Sequence, residues 1–270
     1  MAVQVVAPAL QLGFEFGGGH GVLLRETDAC CIGHERLAEN ARIAHLMNPD
    51  MTEIEALYYG RHRLTFRIGT YLALIRMMGI AHLVTTLYGH AQLVSQTQAR
   101  LARTRQTLRE LICHGFDGEA GRAAMQRLRD VHRNVPADAD DFRYVLATFF
   151  LEPLRWNGRH ARVKLDERET ALLLGFWQRV GHGMGMTDLP ETLPRWQQLQ
   201  RDYEMRCMAR TPEGERLARM CLRDVVKLTV PWGTRWAFRL GMLATMEPRV
   251  REVLGLGRTR WALPSRTRSP

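Results

Sequence analysis

Residues 100–135, RLARTRQTLRELICHGFDGEAGRAAMQRLRDVHRNV, decide how this chain folds. In the first half Leu101, Leu108, Leu111 and Ile112 make an apolar stripe at helical spacing, with Thr104 at its edge and Arg100 and Arg103 beside it. His114-Gly115-Phe116-Asp117-Gly118 is a turn. In the second half Ala124, Leu128, Val131 and Val135 share one face, and His132, four residues after Leu128, lies on it. The spacing predicts two helices joined by a glycine turn, with His132 pointing inward.

A histidine on an apolar face has two readings. It can be a core residue whose ring bonds a backbone carbonyl, which is the commoner case, or a metal ligand. Position alone does not separate them.

The pattern Arg100-Leu-Ala-Arg103-Thr104, then His114-Gly115, then Val131-His132-Arg133-Asn134-Val135 resembles the family of MpaB-type oxygenases and rubber oxygenases, the latex-clearing proteins. The likeness continues through Asp141-Phe-Arg-Tyr-Val145, Glu152-Pro153-Leu154-Arg155-Trp156 and Gly183-Met184-Gly185-Met186-Thr187-Asp188-Leu189-Pro190-Glu191-Thr192, and covers roughly residues 50 to 258. The resemblance implies an all-α fold in which haem b sits between helices, its iron held by one histidine, here His132. It also implies a distal side lined by Arg100, Arg103 and Thr104 as catalytic residues, with Arg100 and Thr104 contacting the cofactor. Arg103 stands where rubber oxygenases have lysine. A guanidinium stays protonated and has no lone pair for iron, so Arg103 is a charged donor.

The remaining composition fits one soluble globular domain. The chain has 270 residues, 46% of them hydrophobic, and no repeat or low-complexity block. We divide it into an N-terminal extension (1–47), a catalytic domain (48–258) and a basic tail (259–270) carrying Arg260, Arg266 and Arg268. The balance of 38 Lys plus Arg against 28 Asp plus Glu suits an anionic partner or a solvated basic surface alike. Five cysteines without a Cys-x-x-Cys pair point to a reduced, cytoplasmic chain. Cys30-Cys31 with His34 lacks the spacing of a metal corner.

Helical patterns fill the rest, and no strand pattern appears; eight to ten helices are expected. Thr52 and Glu55 are spaced as a capping box that starts a helix running through Tyr58 and Tyr59 toward Arg67. Ile68 to Tyr88 is the most apolar stretch, yet Arg76 near its middle is costly in lipid, so it reads as a core or membrane-surface helix. Further helices are expected over Phe142 to Trp156, where Glu152 and Arg155 are placed to pair, over Arg168 to Gly181, Trp196 to Met208, after Thr211, and over Arg235 to Met246. His182 is expected in an exposed glycine loop. Gly17-Gly18-Gly19-His20-Gly21 lacks the lysine and hydroxyl of a phosphate loop.

No Gly-x-Ser-x-Gly elbow, His-Glu-x-x-His or dinucleotide fingerprint is present, so chemistry has to come from a bound cofactor. The leading expectation is a haem b-dependent oxygenase that oxidises or cleaves a double bond of a lipophilic, isoprenoid-like small molecule with O2. A non-catalytic haem or lipid-binding helical protein is the alternative. Peripheral membrane contact stays open, and with no reader motif nucleic acid is not the expected partner.

Overall fold

The computed structural model describes residues 49–88 and 106–257, and the structural statements below concern these. They form α1 (Pro49–Tyr59), α2 (Arg63–Met77), α3 (Ala81–Tyr88), α4 (106–114), α5 (Glu119–His132), α6 (Ala139–His160), α7 (Glu167–Gly183), α8 (Leu193–Cys207), α9 (Pro212–Thr229), α10 (Arg235–Thr245) and α11 (Pro248–Val253). A single 3₁₀ turn, Trp232–Thr234, links α9 to α10. Among the described residues the β-type pairing is one bridge, Ile80 to Met208. The expected all-α fold is the observed one.

The described helices outnumber the eight to ten expected because stretches that read as continuous are broken. The helix expected to start from a capping box at Thr52 starts at Pro49, so Thr52 lies within its first turn; it stops at Tyr59, and residues 60–62 turn the chain before α2. The apolar run Ile68 to Tyr88 is split between α2 and α3, where the Gly79 carbonyl accepts from Ala209 N at 3.0 Å beside the Ile80–Met208 bridge. The second break pairs with a segment distant in sequence.

Side-chain caps set several of the other starts. Asp138 and Asp166 each form a full capping box, with Asp141 and Glu169 closing back on the cap residue, and Thr211 accepts from Gly214 N. Helix α7 ends where Gly185 takes φ +83°, while Met186 N bonds Gly181 O and Gly185 N bonds His182 O. Of the glycines after Val180, Gly181 lies inside the helix and Gly183 is its last residue. They are small because Leu146 and Leu189 press on the first and Met125 on the second.

Helix α6 is the central element. Its most extensive partner is α2, and at Gly69 the approach is so close that a Cβ would lie 2.4 Å from Pro153 Cα. Tyr144 and Trp156 of α6 join a core built with α2, α3, α9, α10 and α11. Ala147, Phe150 and Leu151 join a second core with α1, α4, α5, α7 and α8. The apolar stretch expected to be one core or membrane-surface helix is two helices that pack in the core: Ile68, Leu72, Ile75, Met77, Leu83 and Val84 are buried. Among the described residues no helix is long and apolar enough to cross a membrane.

Candidate functional site

Helices α4 and α5 form the expected antiparallel hairpin. Its turn is tight: Gly115 has φ +77°, and a Cβ on Gly121 would meet the Gly115 carbonyl at 2.0 Å. Glu110 and Arg127 form an ion pair across it, so the chain enters α4 from the end where α5 carries His132. Leu111, Ile112, Ala124 and Leu128 are buried as the periodicity requires.

His132 is the last residue of α5. Its Nδ1 donates to the Leu128 carbonyl at 2.8 Å, and its ring meets Phe142 edge-on at 5.9 Å. The proton that makes this bond sits on Nδ1, which leaves Nε2 as the nitrogen with the lone pair. A carbonyl that fixes ring orientation and tautomer in this way is what an imidazole ligand needs from its surroundings. The ring is half-buried rather than sunk in the core. Along the stripe Leu128 is buried, and Val131, His132 and Val135 are partly exposed. Arg100, Arg103 and Thr104 lie outside the described residues.

Beside Phe142, at the start of α6, Asp141 anchors a second polar group. His82 Nε2 lies 2.7 Å from Asp141 Oδ1 and 3.1 Å from the Tyr203 hydroxyl, which itself donates to Asp141. Burial opposes the charge on Asp141, but the bonds from Tyr203 and His82 outweigh it and hold the carboxyl below its ordinary range. Burial and the carboxylate push the Tyr203 phenol well up. The Tyr203 ring stacks on Tyr144 at 4.3 Å, and the Tyr144 hydroxyl donates to Glu204 at 3.1 Å. His82 and Asp141 are 59 residues apart, and no local pattern marks them as partners.

From Glu204 the network runs into the core around Arg76. Its Nε and one terminal nitrogen grip Glu204 at 2.6 and 2.7 Å, and the other reaches Glu247 at 2.8 Å and Glu152 at 3.1 Å. Burial works against the Arg76 cation, and the Glu204 bonds more than reverse the effect. Arg155 pairs with Glu152, as the one-turn spacing suggested, and donates to Gln200 at 2.7 Å. Burial and then the Arg76 charge push its pKa down to about 10. This cluster ties α2, α6, α8 and the start of α11 together, and its role is structural.

The remaining histidines sort simply. His62, fully buried, lies 3.2 Å from Glu169 at the start of α7. His182 is exposed as expected, but it stands on the last turn of α7, not in a loop. Cys113, Cys207 and Cys221 are free thiols; Cys30, Cys31, His34 and the glycine run at residues 17–21 lie outside the described residues. No group of three or more His, Cys, Asp or Glu among the described residues is placed to hold a bare metal ion. His132 is an imidazole whose ring orientation a backbone carbonyl fixes.

The family model described as ER-bound oxygenase mpaB/B'/Rubber oxygenase, catalytic domain, matches residues 58–268. No curated protein matches the chain.

Proposed function

The chain belongs to the MpaB and rubber oxygenase family, and from that premise we propose that His132 would hold the iron of a haem b and that Arg100, Arg103 and Thr104 would serve as its catalytic residues. The haem-dependent oxygenase function, an oxidoreductase activity on a lipophilic substrate, is the one this family carries. The observation behind the assignment of His132 is its 2.8 Å bond to Leu128, which turns a half-buried imidazole into an oriented Nε2 donor. Bound haem supplies the iron at which oxygen chemistry occurs, and the polarity and access of the distal pocket set its course. Arg100 and Arg103 supply fixed positive charge there, and Thr104 a hydroxyl donor. The substrate is an isoprenoid-like chain oxidised or cleaved at a double bond by O2.

A lipophilic substrate has to be collected from a lipid surface, and α10 offers a means of contact. Trp232, in the 3₁₀ turn before α10, is 83% exposed, and on α10 Trp236 is 68% exposed one turn before the exposed Leu240, beside Arg239. Indole rings with an adjacent cation suit the headgroup layer of an anionic membrane. Vesicles containing anionic lipid should blue-shift the tryptophan emission and sediment the protein, and Trp232→Ser/Trp236→Ser should abolish both. Sedimentation unchanged in that variant would remove α10 from the reading.

The assignment of His132 is tested by the absorption spectrum of protein produced with haem supply beside His132→Ala. A Soret band lost or shifted in the variant is the expected result. A parent that is colourless and takes up no added haemin would overturn it. A Soret band with no oxygen uptake on isoprenoid substrates would favour a non-catalytic haem or lipid carrier.

A further inference from the structure

On the outer side of α5 a cavity of about 510 Å³ opens between that helix, the end of α7 and the turn before α5. Arg122, Arg129 and Arg179 line it with His182, and Phe116 and Met125 give it an apolar floor. This places three guanidinium groups in one concavity. Arg122 donates to the Asp117 carbonyl and Arg129 to the Gly183 carbonyl, and among the described residues neither forms an ion pair with a carboxylate. Arg179 lies 4.5 Å over the Phe116 ring and donates at 2.9 Å to both oxygens of Asp117, whose side chain is 75% exposed. Three positive charges therefore face a single carboxylate, and that carboxylate is held at the surface.

We propose that this cavity is a binding site for a phosphate dianion, borne by a small organic molecule or a lipid headgroup, and that Asp117 occupies Arg179 until the phosphate displaces it. The charge count favours a dianion over a carboxylate, because two cations are left over after Asp117 is counted. Guanidinium forks match phosphate oxygens in geometry, and each Arg has further N–H groups beyond those bonding carbonyls. The volume exceeds what a bare phosphate needs, and the apolar floor suits the organic body attached to it. An exposed carboxylate is weakly held in water, so its displacement costs little.

The proposal does not depend on the haem assignment. Titrating inorganic pyrophosphate into the full chain by calorimetry, at low salt and then at higher salt, should give saturable, salt-sensitive binding. Arg122→Gln/Arg129→Gln should weaken it about tenfold or more, the scale of two lost charge-assisted contacts. Asp117→Asn should strengthen it severalfold, a gain that a merely damaged fold would not produce. Dihexanoyl phosphatidic acid, kept below its micelle concentration, separates the two sources: tighter binding than pyrophosphate, lost in the same double variant, identifies a lipid headgroup, and the reverse order a soluble phosphate. Absence of binding by both probes, or binding indifferent to the arginine pair and to Asp117, would overturn the site. So would displacement of bound pyrophosphate by haemin, which would make these arginines partners of the propionates.

Discussion

Two arginine clusters in this protein are built from the same residue type and do opposite work. Around Arg76 and Arg155, three carboxylates and a glutamine amide meet two guanidinium groups, and a tyrosine hydroxyl donates to one of the carboxylates. Around Arg122, Arg129 and Arg179, one exposed carboxylate meets three guanidinium groups at the surface. In the first every charge has an internal partner, and the network clamps helices together. In the second, positive charge is left over in a concave place, which is the condition for taking a ligand. Compensation and burial, not the arginine itself, separate a clamp from a site.

The sharpest way to break this contrast is Arg76→Met. It leaves the buried Glu204 without its cation and removes one partner each from Glu152 and Glu247, and unfolding in urea should show a loss of about 3–5 kcal/mol. A loss under about 1 kcal/mol would show that the core cluster is not a clamp.

A smaller effect is expected at Asp141. Its folded-state carboxyl is held below the ordinary range, so the stability it contributes is present above roughly pH 4 and is lost as pH falls through its folded value. Asp141→Asn should therefore cost about 1–3 kcal/mol near neutrality, and the gap to the parent should close in acid. Thermal melts of both proteins across pH check the sign; a gap that widens in acid contradicts it. Glu247, opposed by burial and drawn down by Arg76, should add to the same acid loss.

The smallest effect belongs to the surface cluster. Arg122→Gln should change stability by no more than about 0.5 kcal/mol, since no carboxylate is left unpaired. Denaturation curves displaced by several times that amount would mean the cavity arginines act as a clamp too.

What could be read early was whatever repeats within a turn or two of helix. Ala124, Leu128 and the turn at Gly115 follow from period and from glycine, and Asp166 and Thr211 follow from cap chemistry. Glu152 and Arg155 pair because one helical turn separates them. The depth of His132 was not legible: its periodicity continues to Val135, whereas Leu128 is buried and Val131, His132 and Val135 are only partly so. The same holds for His82, Asp141 and Tyr203, which no spacing connects.

The sequence by itself determined that this chain is helical, where most helices start, which face of α5 carries His132, and to which family the chain belongs, because each rests on local periodicity, caps or an ordered motif. Only the tertiary structure decided what Arg76 meets, since Glu204 and Glu247 lie 128 and 171 residues away, and which arginines remain uncompensated. Local spacing constrains neighbours along one helix; the partners of a charge are chosen when distant helices pack, and the cost of burying an unpaired charge makes that choice stringent.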